Sequence, residues 1–109
     1  MDYRKELFAE VIERFGRDYL LIKLAEECSE LAQACMKMLG VWMDATSMRE
    51  DEAVEHIMEE IADVRNHIAG VELTLLDEYQ RDCVFDIQRR KLERMKTRLI
   101  DGDMDEDRW

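Results

Sequence analysis

The sequence predicts an all-α protein, an antiparallel four-helix bundle-like fold completed by dimerisation. Three observations predict it. The 109 residues contain no proline and only four glycines, so little interrupts a helix. Apolar residues recur at helical spacing in four successive segments. At 47% hydrophobic and 39% charged residues, the composition is that of a soluble helical chain, neither disordered nor collagen-like.

The first helix is predicted over Asp2 to Phe15, with Tyr3, Leu7, Phe8, Val11, Ile12 and Phe15 as its apolar set. Gly16 suits the position just past its end, and Asp18 the cap of the next helix. The second helix is predicted over Tyr19 to Leu39, with Leu20, Leu24, Cys28, Leu31, Cys35 and Met38 as its core stripe and Gly40 as its end. Val41 to Thr46 reads as a loop. Ser47-Met48-Arg49-Glu50 has the form of a capping box and opens a long third helix, whose stripe is Val54, Ile57, Ile61, Val64, Ile68, Val71 and Leu75. A turn is predicted within Asp77 to Asp82. The fourth helix then carries Val84, Ile87, Leu92, Met95 and Leu99. Residues 1–100 form one domain and 101–109 an acidic tail.

The bulk charge restricts the partners. A net charge of −11 argues against a nucleic-acid polymer, which requires a basic footprint. No apolar run reaches membrane-spanning length, and Met1-Asp2-Tyr3-Arg4-Lys5-Glu6 lacks a signal-peptide core. A cytoplasmic location without membrane partners is expected. Cys28, Cys35 and Cys83 form no Cys-x-x-Cys pair and are expected as small buried core residues.

Two acidic pairs carry the functional information. Glu27-Cys28-Ser29-Glu30 and Glu60-Ile61-Ala62-Asp63 each separate two carboxylates by three residues, which puts both on one side of a helix. At about 100° per residue, Glu27 and Glu30 fall on one flank of the second helix's stripe. Glu60 and Asp63 fall on the flank of the same sense on the third. Antiparallel neighbours joined by a short loop bring such flanks together. Folding the chain about the loop also matches their heights to within roughly 4–5 Å. Four carboxylates at one place repel unless a cation sits among them, and hard oxygen ligands suit Mg²⁺, with Mn²⁺ as the alternative. Solvated surface charge is the plain competing reading of any such pair.

Several other residues lie near this site in the helical projection. Lys23 and Lys37 share the flank of Glu27 and Glu30, where an i,i+4 ion pair such as Lys23 with Glu27 is one use of the charge. Lys91, Arg94 and Arg98 share a face of the basic last helix, with a solvated face pairing with acidic neighbours as the plain reading. His56 and His67 share the flank of Glu60 and Asp63, but no Glu stands three residues before either, so the Glu-x-x-His arrangement of di-iron bundles is absent. Gly70, one turn beyond His67, is read as a site of close helix packing. Phe15, Tyr19 and Trp42 are aromatics near the loop or helix ends, free to stack on a planar ring. Core packing is the alternative for Phe15, and solvent or subunit contact for Trp42.

Lys23-Leu24-Ala25-Glu26-Glu27-Cys28-Ser29-Glu30-Leu31 and Glu59-Glu60-Ile61-Ala62-Asp63-Val64 resemble the paired motifs of the all-α nucleoside triphosphate pyrophosphohydrolases, the superfamily of MazG-like proteins, dimeric dUTPases and phosphoribosyl-ATP pyrophosphatases. The likeness covers about the central half of the chain. It implies a hydrolase that splits a nucleoside triphosphate into monophosphate and pyrophosphate. Glu27, Glu30, Glu60 and Asp63 would then be Mg²⁺ ligands and catalytic residues, in a homodimer or homotetramer; Lys23 or Lys37 would contact a phosphate, and Lys91, Arg94 and Arg98, which resemble a basic C-terminal pattern of some MazG-like proteins, would reach the β and γ phosphates. The stretch between the motifs stands near or beyond the long end of the family pattern. His67 resembles the phosphoribosyl-ATP pyrophosphatase branch, whereas its neighbours Arg65 and Asn66 do not. An enzyme of that branch and a catalytically silent helical interaction module are the alternative readings; a metal-binding or metal-storage bundle is a third.

Overall fold

The computed structural model describes residues 3–102 and is helical throughout: α1 (Tyr3–Phe15), α2 (Arg17–Trp42), α3 (Glu50–Leu75) and α4 (Glu78–Leu99). Residues 103–109 of the predicted acidic tail, and Asp2 at the predicted start of α1, lie outside the described residues. The chain divides into two compact units, 1–75 and 76–109. In the first, α2 packs extensively along α3, and α1 packs on both.

The α2–α3 pair is built on a 3.5-residue repeat. On α2, Leu20, Leu24, Glu27, Leu31, Ala34 and Met38 are buried or half-buried, with alternating spacings of four and three. On α3 the same spacing runs through Ala53, Ile57, Glu60, Val64, His67, Val71 and Thr74. This is the seam of helices crossing at a shallow angle. It differs from the predicted stripes. Cys28 and Cys35 are exposed and Cys83 is half-buried, and all three are free thiols; Val54, Ile61 and Ile68 are exposed as well. The physical reason is rotational. The most apolar line on each helix lies about 40–60° from the line that faces its neighbour, and the facing line contains Glu27 and Glu60.

The connections explain the register. Gly16 carries φ 88°, a left-handed value that glycine adopts without strain, and its N–H donates to the Ile12 carbonyl, closing α1. It also stands as the N-cap of α2, so Asp18 lies inside the first turn instead of capping it. The Phe15 and Tyr19 rings stack across this bend at 4.9 Å, and Phe15 is exposed rather than part of the core. Gly40 does not end α2, which continues to Trp42. Asp44 at φ 57° makes the left-handed turn, a conformation Asp tolerates. Trp42 Nε1 donates to Glu50 Oε1 across the loop. Because α3 starts at Glu50, Ser47 is too early to cap it, and the predicted box there does not form.

In the second unit, Asp77 caps α4. Its side chain accepts from the Gln80 N–H at 2.7 Å, and Gln80 Oε1 accepts from the Asp77 N–H at 2.9 Å, a reciprocal capping box. The turn thus falls at Leu76–Asp77, at the start of the predicted interval. Lys96 and Arg98 in the last turn complement the helix dipole.

Gly70 is buried where α1 meets α3. A β-carbon there would stand 2.9 Å from Cδ1 and Cε1 of Phe8, closer than carbon atoms pack. Gly70→Ala gains about 1 kcal/mol in helix propensity but overpacks the contact by roughly 1–3 kcal/mol. We expect a net loss of stability in the full chain and a gain when the same substitution is made in a Phe8→Ala background. Chemical denaturation of the four proteins of this cycle measures the reversal of sign.

Candidate metal centre

Glu27, at the middle of α2, and Glu60, at the middle of α3, occupy seam positions that an apolar residue would normally fill. Glu30, one turn on from Glu27, lies at the exposed edge. One carboxylate oxygen from each of the three lies within 4.8 Å of the others. The antiparallel folding and the helix register therefore do bring residues from the two motifs together. The placement corrects one detail: Glu27 and Glu60 lie in the seam itself, not on its flank.

The electrostatics of the group are those of uncompensated negative charge. Oε2 of Glu27 and Oε2 of Glu60 are both buried, and neither has a hydrogen-bond partner among the described residues. Desolvation is the first cause holding the Glu27 carboxyl above its ordinary value of 4.5, followed by the charges of Glu30 and Asp63. His67 acts in the opposite direction on Glu27. Glu60 is pushed up in the same way, by desolvation first and then by Glu30, Asp63 and Glu27. Asp63 is thus electrostatically part of the group, although its oxygens lie outside the close trio.

The donor set fits a hard divalent ion. Ligands about 2.1 Å from Mg²⁺ place adjacent oxygens of an octahedron about 3.0 Å apart and opposite ones about 4.2 Å apart, so the trio would close by side-chain rotation to take three of its positions. The two orphaned oxygens would gain the partner they lack. Cysteine contributes nothing, and His56 is exposed. The His67 ring is fixed by a 2.7 Å contact between Nδ1 and the Asp63 carbonyl oxygen. A carbonyl only accepts, so Nδ1 carries the hydrogen.

The cations fall elsewhere. Lys23 pairs with Glu26 at 2.9 Å, not with Glu27. That hydrogen bond is the first cause raising the Lys23 ammonium above its usual value. Lys37 borders an apolar hollow near the α2–α3 loop. Lys91 and Arg94 belong to the second unit, where they line a groove along α4 with Arg90, Glu93, Ile87 and Thr97; Arg98 does not line it. Trp42 is exposed, with its indole N–H held by Glu50. Sequence reasoning missed the Lys23–Glu26 pair and the hollow. The pair was legible as an i,i+3 spacing, whereas the hollow depends on the loop path.

Raised carboxyl pKa values fix the sign of a pH effect. The folded state holds these protons more tightly than the unfolded chain, so the favourable contribution is present below the unfolded value. It is lost as pH rises through the folded values. Glu27→Gln removes one charge from the group. It should raise the melting temperature at pH 7.5 in EDTA by more than it does at pH 4.5. In the wild type, millimolar Mg²⁺ should raise the melting temperature at pH 7.5 and have little effect at pH 4.5. Thermal denaturation followed by circular dichroism at the two pH values measures both.

No helix of the described residues is long and apolar enough to cross a membrane. No protein-family model matches the chain, and neither the curated proteins nor the solved structures contain a match.

Proposed function

We propose that the protein is a Mg²⁺-dependent nucleoside triphosphate pyrophosphohydrolase that converts a nucleoside triphosphate and water to the monophosphate and pyrophosphate. The observation that carries this reading is the trio Glu27, Glu30 and Glu60, with oxygens within 4.8 Å and two of those side chains each holding a buried oxygen without a partner. The spacing and framing of the two acidic motifs supply the reaction class by resemblance.

In this reading Glu27 and Glu60 hold the ion from inside the seam, and Asp63 supports them by charge. Glu30, at the exposed edge, is the ligand nearest to an incoming triphosphate. When bound, Mg²⁺ neutralises phosphate charge and lowers the pKa of a coordinated water. Where one carboxylate serves instead as general base for the attacking water, Glu27 is the candidate. The seam excludes solvent behind the carboxylates, which strengthens their interaction with charge arriving from the open side. The reading rests on residues of the first unit alone. A homodimer or homotetramer and a cytoplasmic setting belong to the same proposal.

Pyrophosphate release from a panel of canonical and modified nucleoside triphosphates with Mg²⁺ tests the reaction. We expect turnover of at least one member. Glu30→Gln should lower that rate by roughly a hundredfold or more without changing helical content by circular dichroism. Absence of turnover across the panel would favour a silent interaction module. Preferential binding of iron over Mg²⁺ would favour a metal-storage bundle. A fully active Glu30→Gln protein would contradict the site.

A further inference from the structure

The hollow at the end of α2 is a surface depression of about 260 Å³, open to solvent and lined by Met36, Lys37, Gly40, Thr46 and Met48. It belongs to the same unit as the carboxylates, and its composition differs sharply from theirs. Two thioethers form the walls. Gly40 contributes a flat floor: a β-carbon added there would meet the Thr46 methyl at 3.7 Å. The Thr46 hydroxyl accepts the Met48 N–H, which turns the methyl group toward Gly40. Lys37 supplies the charged group at the edge.

Three features identify an occupant. The volume falls short of the roughly 300–1,000 Å³ of pockets for drug-sized ligands, so it suits one ring system. Methionine sulfur packs favourably against aromatic rings. The third feature is position. Lys37 lies seven residues, two turns, beyond Glu30 on the same face of α2, about 10 Å along the axis. That is about the span from the reacting phosphorus to the base of an extended nucleotide.

We infer that this hollow is the base subsite of the pyrophosphohydrolase, taking the nucleobase of the triphosphate whose phosphates lie at Glu27, Glu30 and Glu60. The inference rests on the function proposed above. Lys37 is then a specificity-determining residue for the base, not a phosphate contact. An ammonium group only donates hydrogen bonds. It therefore favours a base that presents a carbonyl oxygen, such as guanine, hypoxanthine or uracil, over adenine, whose exocyclic amino group is itself a donor.

Methyl NMR of the full chain labelled with ¹³C-methyl methionine separates this inference from the reading beneath it. The probes are tripolyphosphate and the α,β-imido triphosphates of guanosine and adenosine, each with Mg²⁺; Met36→Leu and Met48→Leu assign the signals. We expect all three probes to bind in the wild type and to lose binding in Glu30→Gln. The Met36 and Met48 methyl signals should show ring-current shifts with the nucleotides and none with tripolyphosphate. Gly40→Val, which fills the floor, should weaken the guanosine probe by roughly three- to tenfold and leave tripolyphosphate affinity unchanged. Lys37→Gln should abolish the preference for guanosine over adenosine. If the nucleotides bind in a Glu30-dependent manner but shift these methyls no more than tripolyphosphate does, the base subsite is overturned and the carboxylate site stands. If no probe binds, both fall together. If Gly40→Val does not fold, the wild-type methyl shifts alone decide.

Discussion

Two carboxylates placed in the apolar seam between α2 and α3 are the constraint on which the rest of the structure turns. Glu27 and Glu60 take positions in a 3.5-residue repeat that leucine, isoleucine or valine occupies on either side. Each has an oxygen that is buried and unpartnered. Burial of a polar atom without a partner is unfavourable, and the neighbouring charges add to the difficulty. The surrounding packing must hold this arrangement in place, and the arrangement eases when a cation is bound. In the proposed function, the groups whose burial is unfavourable in the fold are the ones that would hold a divalent ion, a common opposition between stability and function.

The scaffold that holds the two residues opposite one another is economical. Helices α2 and α3 have 26 residues each, and the turn that joins them is fixed by the left-handed backbone of Asp44 and by the Trp42–Glu50 hydrogen bond. That turn sets the height at which Glu27 and Glu30 meet Glu60. Phe8 against Gly70 lets α1 approach α3 closely near its C-terminal end, beyond Asp63. Glu27 and Glu60 thus sit in the middle of the seam between apolar neighbours, and the methionine-lined hollow lies outside the seam, at the loop end of α2. A ligand with a charged group and a flat apolar group matches that sequence of environments along α2.

Much of this was legible in the sequence. Helical periodicity and the scarcity of breakers predicted four helices. The i,i+3 pairs, counted about the loop, predicted that the two motifs share one height, where Glu27, Glu30 and Glu60 meet and Asp63 stays outside the close trio. The rotation of the seam was not legible, because the apolar lines through Cys28 and Cys35 and through Val54, Ile61 and Ile68 are more hydrophobic than the facing lines, which include Glu27 and Glu60. A functional site is where hydrophobic patterning departs from the packing it otherwise reports. The cap at Ser47 failed because the chain bends before α3 begins. The cap at Asp77 was available as an Asp-x-x-Gln spacing. The hollow beside Lys37 had no signal in local pattern, since Thr46 and Met48 reach it only through the path of the loop.

Titration of the protein with Mn²⁺, read as the loss of the free-ion electron paramagnetic resonance signal, tests the central claim most directly. The account predicts saturable Mn²⁺ binding that Mg²⁺ displaces and that is lost when Glu27 and Glu60 are both replaced by Gln in a protein of unchanged helical content. Binding of equal affinity and stoichiometry in the wild type and in that double variant would contradict it.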